Sequence, residues 1–184
     1  FTTLEITARF VQDLVPRFAF MFRTRRNPVL DAMQARGRRR TAQISFSNAD
    51  SRAMLNALRA NAAVWYAPDQ AFDGRGAALL PFFGEPAMTN TATSRIARLS
   101  GAALVVFRFR RLDDGSGYVL RFDPPAASLP TNDAVADTRE LTRILEAAIR
   151  ECPEQYLLTH RRFRGRGPAL PDAYAAPPVA RASW

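Results

Sequence analysis

The sequence predicts an α/β fold: a mostly parallel central sheet flanked by helices, with a late antiparallel hairpin. Three observations predict it. Short strand patterns alternate with helical patterns along most of the chain. AAVWYA at 62–67 is continuously apolar, as a strand covered on both faces would be. Two alternating segments, ALVVFRFR and GYVLRF, flank the turn residues DDGSG at 113–117.

Leu4, Ala8, Val11 and Val15 recur at helical spacing, so residues 3–14 read as a helix that Pro16 ends. RFAFMFR at 17–23 alternates and is rich in Phe, which predicts a strand. Asn27-Pro28 opens a second helix, which the RGRRR run at 36–40 closes. AQISF at 42–46 is a short strand. Asn48 or Asp50 caps a third helix whose apolar face is Met54, Leu55 and Leu58. The strand at 62–67 follows and stops at Pro68. Residues 68–88 carry Gly74, Gly76, Pro81, Gly84 and Pro86 and read as one long functional loop. Residues 89–101 predict a helix ended by Gly101. After the hairpin, a last helix spans about 132–151, with Leu141, Ile144, Leu145, Ala148 and Ile149 on one face. Residues 1–164 form one domain, and the Pro/Ala/Arg-rich tail at 165–184 is expected to be disordered.

All 26 basic residues are Arg, and the net charge is +9. Arg never loses its charge and binds phosphate or carboxylate in a bidentate way. The balance favours a polyanionic partner, whether nucleic acid, an anionic membrane surface or a phosphorylated substrate; a solvated cationic surface would read the same way. The single cysteine, Cys152, excludes an internal disulfide and reads as packing rather than as a nucleophile. No apolar run approaches the ~20 residues that a membrane helix needs. The chain has one histidine, His160, and lacks metal-ligand spacing, a P-loop, GxSxG and CxxC.

Four stretches, in order, carry a further signal: FTTLE at 1–5, FRTRRNPVLD at 22–31, VWYAPDQ at 64–70 followed by PFFG at 81–84, and PEQYLLTHRRFRGRGP at 153–168. Together they resemble the late acyltransferases of lipid A biosynthesis, of the lauroyl/myristoyl transferase type, within the lysophospholipid acyltransferase superfamily. The resemblance covers nearly the whole chain. It departs at Val105-Val106-Phe107, where the family usually has Val-Pro-Phe.

That family carries a His-x-x-x-x-Glu/Asp motif, commonly HF-x-x-x-E, and Phe1 and Glu5 fit its last five positions. The resemblance therefore implies that the motif's His precedes Phe1. Residues 1–164 would then be a partial acyltransferase domain of the glycerolipid acyltransferase type, its N-terminal part and a membrane helix lying upstream. Two groups five positions apart on one helix diverge by about 140°. The motif thus implies a His in the turn before the helix and Glu5 in the first turn, reaching back to orient it. Without the family match, Glu5 reads as a solvated carboxylate favoured by the helix dipole.

The resemblance further implies that Arg23 supplies an oxyanion donor at the end of its strand, where α/β sheets place ligands. Arg25 and Arg26 would meet substrate phosphates or solvent. Asp69 and Gln70 would help hold the acceptor; an Asx turn is the plainer reading of Asp69. RGRRR and HRRFRGR would contact anionic lipid heads and the lipid A phosphates, or an acidic acyl carrier protein, or only solvent. His160 lies far along the chain from Glu5 and is not taken as the missing base.

The implied activity is transfer of a fatty acyl group from acyl carrier protein to a hydroxyl of a lipid A precursor, at the cytoplasmic face of the inner membrane. It needs no cofactor. Residues 1–184 alone are expected to be inactive without the base. The alternatives are another lysophospholipid or glycolipid O-acyltransferase, and a non-catalytic Arg-rich module binding nucleic acid or membrane. An RNA-recognition aromatic motif is absent, which disfavours nucleic acid as a partner.

Overall fold

Parallel pairing of strands from separate parts of the chain sets the architecture. The computed structural model describes residues 4–22, 27–29, 32–33, 36–37, 44–47, 50–124, 126–156 and 160–175. Helix α1 spans Leu4–Leu14 and leads into strand β1, Phe18–Phe22. The described residues of 28–37 are helical, in line with Pro28 near a helix start. Strand β2 is Ile44–Ser47, helix α2 is Ser51–Arg59 and strand β3 is Ala63–Trp65. The three strands form a parallel sheet in the order β2-β1-β3, with Ala19 opposite Ile44 on one side and Val64 on the other.

The local signals act as their chemistry requires. Asp50 caps α2, its carboxylate accepting from the Ala53 amide at 2.9 Å. Helix α3, Ala92–Ser100, ends at Gly101, which is left-handed at φ 74°. Helix α4, Ala134–Arg150, starts at Asp133, whose side chain accepts from the Val135 and Ala136 amides.

Residues 68–88 are not one loop. Strand β4, Ala77–Phe82, and strand β5, Glu85–Asn90, make an antiparallel hairpin within and beyond that stretch. Its turn residues, Phe83 and Gly84, have φ of 52° and 84°, as two-residue hairpins require. Pro81 stands opposite Pro86. In a two-residue hairpin the pair flanking the turn exchanges the hydrogen bonds. The next pair out has its amides facing away, so proline costs no ladder bond there. The second hairpin pairs β6, Phe107–Arg111, with β7, Tyr118–Phe122, around the expected turn. Residues 102–106, expected to open β6, stand outside its ladder; the Leu104 and Val106 carbonyls accept from the Ala126 and Asp123 amides.

Among the described residues, two clusters of buried side chains hold these layers. Ala19, Phe46, Met54 and Ala62 pack the parallel sheet against α2, with Ile96 of α3 alongside. Phe82, Ala87, Ile149 and Tyr156 join the β4–β5 hairpin to the end of α4 and to the short 3-10 turn Pro153–Gln155. The buried thiol of Cys152 donates to Glu154, and burial together with that carboxylate pushes it up to about 11, which suits packing and not nucleophilic attack. Among the described residues no helix is long and apolar enough to cross a membrane. Residues 165–175 form turns, and the Tyr174 hydroxyl accepts from the Phe163 amide at 3.0 Å.

Candidate active site

A cavity of about 370 Å³ opens beyond the C-terminal end of β3, the end of a parallel sheet where ligands bind. Its volume falls in the range of ligand sites, about 300–1,000 Å³. Residues 64–70 supply one wall and 102–107 another; Met54 and Leu58 of α2, Ile96 and Ala97 of α3, and Leu141 and Leu145 of α4 add apolar surface to it. Apolar side chains dominate. Trp65 is braced between Phe20 and Phe107, each edge-on to it at 5.5 and 5.3 Å between centroids.

Polar groups collect where β3 runs out: Asp69, Gln70, Thr93, Tyr66 and His160 line the cavity there. Asp69 is half-buried and accepts from the Tyr156 hydroxyl at 3.4 Å. Burial, and then the charge of Asp69, raise the Tyr156 phenol well above its usual range, so it stays a neutral donor. Burial likewise raises Tyr66, whose hydroxyl accepts from Asn90 at 3.2 Å. His160 accepts the Ala71 amide on Nε2 at 3.0 Å, and burial keeps its ring on the neutral side of the ordinary value.

Arg162 underlies this cluster. It is 4% exposed; its guanidinium donates to the Met88 carbonyl at 2.7 Å and to the Thr89 hydroxyl at 2.6 Å, and lies 4.9 Å from the centre of the Phe82 ring. The HRRFRGR run is therefore not a uniform solvated face. Arg161 and Arg164 are exposed, whereas Arg162 is a buried brace between the chain's last motif and β5.

The expected site residues fall into three groups. Asp69 and Gln70 stand together on the cavity wall. Glu5 occupies the first turn of α1, and Thr7, two residues on, lines the cavity from that helix. Arg23, Arg25 and Arg26 lie outside the described residues, as do residues 38–40 of the RGRRR run. Sequence reasoning did not pick out Tyr66 or residues 102–106 as cavity wall. The unbroken apolar run from Ala102 to Phe107 was the available signal, but it fits a ladder strand equally well.

A family model described as bacterial lipid A biosynthesis acyltransferase matches residues 1–165. The chain belongs to the bacterial lipid A biosynthesis acyltransferase family. It is 38% identical over 175 residues to the lipid A biosynthesis lauroyltransferase of Escherichia coli (strain K12), covering 95% of this chain and 57% of that protein. The lipid A biosynthesis palmitoleoyltransferase of the same organism is 35% identical over 167 residues, covering 90% and 54%. The lipid A biosynthesis acyltransferase of Haemophilus influenzae (strain ATCC 51907 / DSM 11121 / KW20 / Rd) is 33% identical over 168 residues, with the same coverage of 90% and 54%. The chain thus spans a little over half the length of these relatives.

Proposed function

We propose that the whole protein transfers a fatty acyl group from acyl carrier protein to a hydroxyl of a lipid A precursor, at the cytoplasmic face of the inner membrane. The observation that carries this reading is the mostly apolar cavity with a polar end at Asp69 and Gln70, in a chain of this family. An acyl chain fits such a site because each methylene removed from water contributes about 0.8 kcal/mol. The polar end suits the hydroxylated acceptor.

In this reading a histidine immediately before Phe1 is the base. It takes the proton of the acceptor hydroxyl as the oxygen attacks the thioester carbonyl. Glu5, in the first turn of α1, fixes the ring's tautomer and stabilises the imidazolium. Arg23 donates to the oxyanion of the tetrahedral intermediate. Collapse of the intermediate breaks the carbon–sulfur bond, and the imidazolium returns the proton to the leaving thiolate. Asp69 and Gln70 hold the acceptor, and Arg25 and Arg26 meet its phosphates. The acidic carrier protein and the anionic membrane surface suit an Arg-rich chain of net charge +9.

The test is acyl transfer by the full-length protein from acyl carrier protein to a lipid A precursor, with Glu5→Ala as the comparison. A new ester on the acceptor, lost in the variant, supports the reading. No ester with any acyl donor contradicts it.

A further inference from the structure

We propose that His160 is a positioning residue whose ring, through the Ala71 amide, holds the segment bearing Asp69 and Gln70 against the apolar cavity. The segment needs such a hold. Among the described residues, 66–73 belong to no strand or helix. Hydrogen bonds tie the segment to the rest of the fold at four points: the Asn90 side chain on the Tyr66 hydroxyl at its start, then the Tyr156 hydroxyl on Asp69, the Ala71 amide on His160, and the Phe72 amide on the Met88 carbonyl at 3.2 Å. The Ala71 bond sits between the two residues of the polar end and the hairpin β4–β5. His160 lines the cavity, and so do residues 64–70, which end one residue before Ala71.

The chemistry of the ring follows from that bond. An imidazole nitrogen that accepts an amide proton carries none itself, so the proton of His160 is on Nδ1. While Nε2 is engaged it cannot take a proton from a substrate hydroxyl. The arrangement thus separates His160 from the general base and gives it a different task. Adding a second proton turns Nε2 from acceptor into donor, facing another donor. The bond to Ala71 is then lost, and the Asp69–Gln70 segment loses its anchor on that side. The groups facing the ring are Asp69, which favours the proton, and Arg164 and Arg162, which oppose it; burial opposes it most. The hold therefore persists at neutral pH and fails in acid.

The effect on turnover rests on the acyltransferase reading above, but the relation of ring to amide does not. The experiment is nitrogen-15 NMR on the intact protein, following the imidazole nitrogens and the protection factor of the Ala71 amide against pH. The ring signal absent from His160→Gln identifies His160. The expected result is an Nδ1–H tautomer with a midpoint below the ordinary ~6.5, and Ala71 protection that falls at least tenfold as pH drops through that midpoint. In His160→Gln the amide oxygen can accept without titrating, so Ala71 stays protected throughout. In His160→Ala it is unprotected at every pH. An Nε2–H tautomer, or Ala71 exchange that ignores the ring's midpoint, overturns the proposal.

Kinetics supply a second arm. His160→Ala should raise KM for the lipid acceptor severalfold with kcat nearly kept, and His160→Gln should restore it. A fall in kcat with KM unchanged, not rescued by Gln, also overturns the proposal. If the acyltransferase reading itself is wrong, no variant turns over, and the NMR arm still decides.

Discussion

Ser94 on α3 donates its hydroxyl to the carboxylate of Asp137 on α4, and each residue is only 1% exposed. The same carboxylate accepts from the Thr131 hydroxyl at 2.6 Å and the Thr131 amide at 2.8 Å. One buried side chain thus ties together α3, α4 and the segment before α4, and both helices supply cavity wall. Burial acts to raise its pKa, but the bonds from Ser94 and Thr131 and the charge of Arg98 outweigh burial and hold it below the usual carboxylate range.

Asp137→Ala leaves those donors unpaired inside the protein, at a cost of roughly 1–3 kcal/mol for each group left unsatisfied. A fall in Tm of several degrees is expected, since 1 kcal/mol is about 2–4 °C for a domain of this size. The pH dependence has a definite sign. A carboxylate depressed in the fold binds fewer protons there than in the unfolded chain. Its stabilisation is complete above the unfolded value of about 3.9 and is lost as pH falls through the lower folded value. Thermal melts of wild type should show that acid limb, and melts of Asp137→Ala should show it flattened.

Leu104 lies in the irregular segment 102–106 and lines the cavity without belonging to a ladder, so its side chain can be changed with little effect on the sheet. Leu104→Trp should fill space that the end of a long acyl chain would use. The selectivity kcat/KM should shift toward shorter donors, by roughly 10–200-fold for one misfitting methylene at the extreme. Leu104→Ala should shift it the other way. Competition between acyl donors of different length reads both shifts. Equal effects on all lengths would place the acyl chain elsewhere.

Arg23 follows β1 directly in the sequence. If it faces the oxyanion, its bond strengthens only as charge develops. Arg23→Ala should then lower kcat by the equivalent of ~2.7–4 kcal/mol with KM nearly constant. Arg23→Lys should not restore it fully, because an ammonium on a flexible stem cannot reproduce a planar guanidinium. Arg25→Ala and Arg26→Ala should instead raise KM for a phosphorylated acceptor. Steady-state kinetics separate the cases, and a rise in KM alone for Arg23→Ala would make it a substrate-holding residue.

What the sequence made legible was local. Helix α1, strand β1, the Asp50 cap and the Gly101 terminator all depend on neighbours within a turn or two, so their signals sit in adjacent residues. The parallel sheet followed from strand–helix alternation. The β4–β5 hairpin was hidden because Pro81 and Pro86 read as breakers, and only their pairing shows that neither interrupts the ladder. The cavity was hidden for a similar reason. His160 meets Ala71 across 89 residues of chain, and Arg162 meets Met88 across 74; such contacts leave no period in the sequence. Asp69 and Gln70 were singled out by resemblance, and the fold adds what resemblance lacks: their place on the wall of an apolar cavity.

The central claim is tested most directly by the product made by the full-length protein. Purified wild type and Glu5→Ala are each given lauroyl-loaded acyl carrier protein and a lipid A precursor, and the acceptor is weighed by mass spectrometry. The account predicts one added acyl ester with wild type and a loss of roughly 10²–10⁴-fold in rate with Glu5→Ala, the range for a failed acid–base pair. An acceptor of unchanged mass with wild type, or an ester formed equally fast by Glu5→Ala, would contradict it.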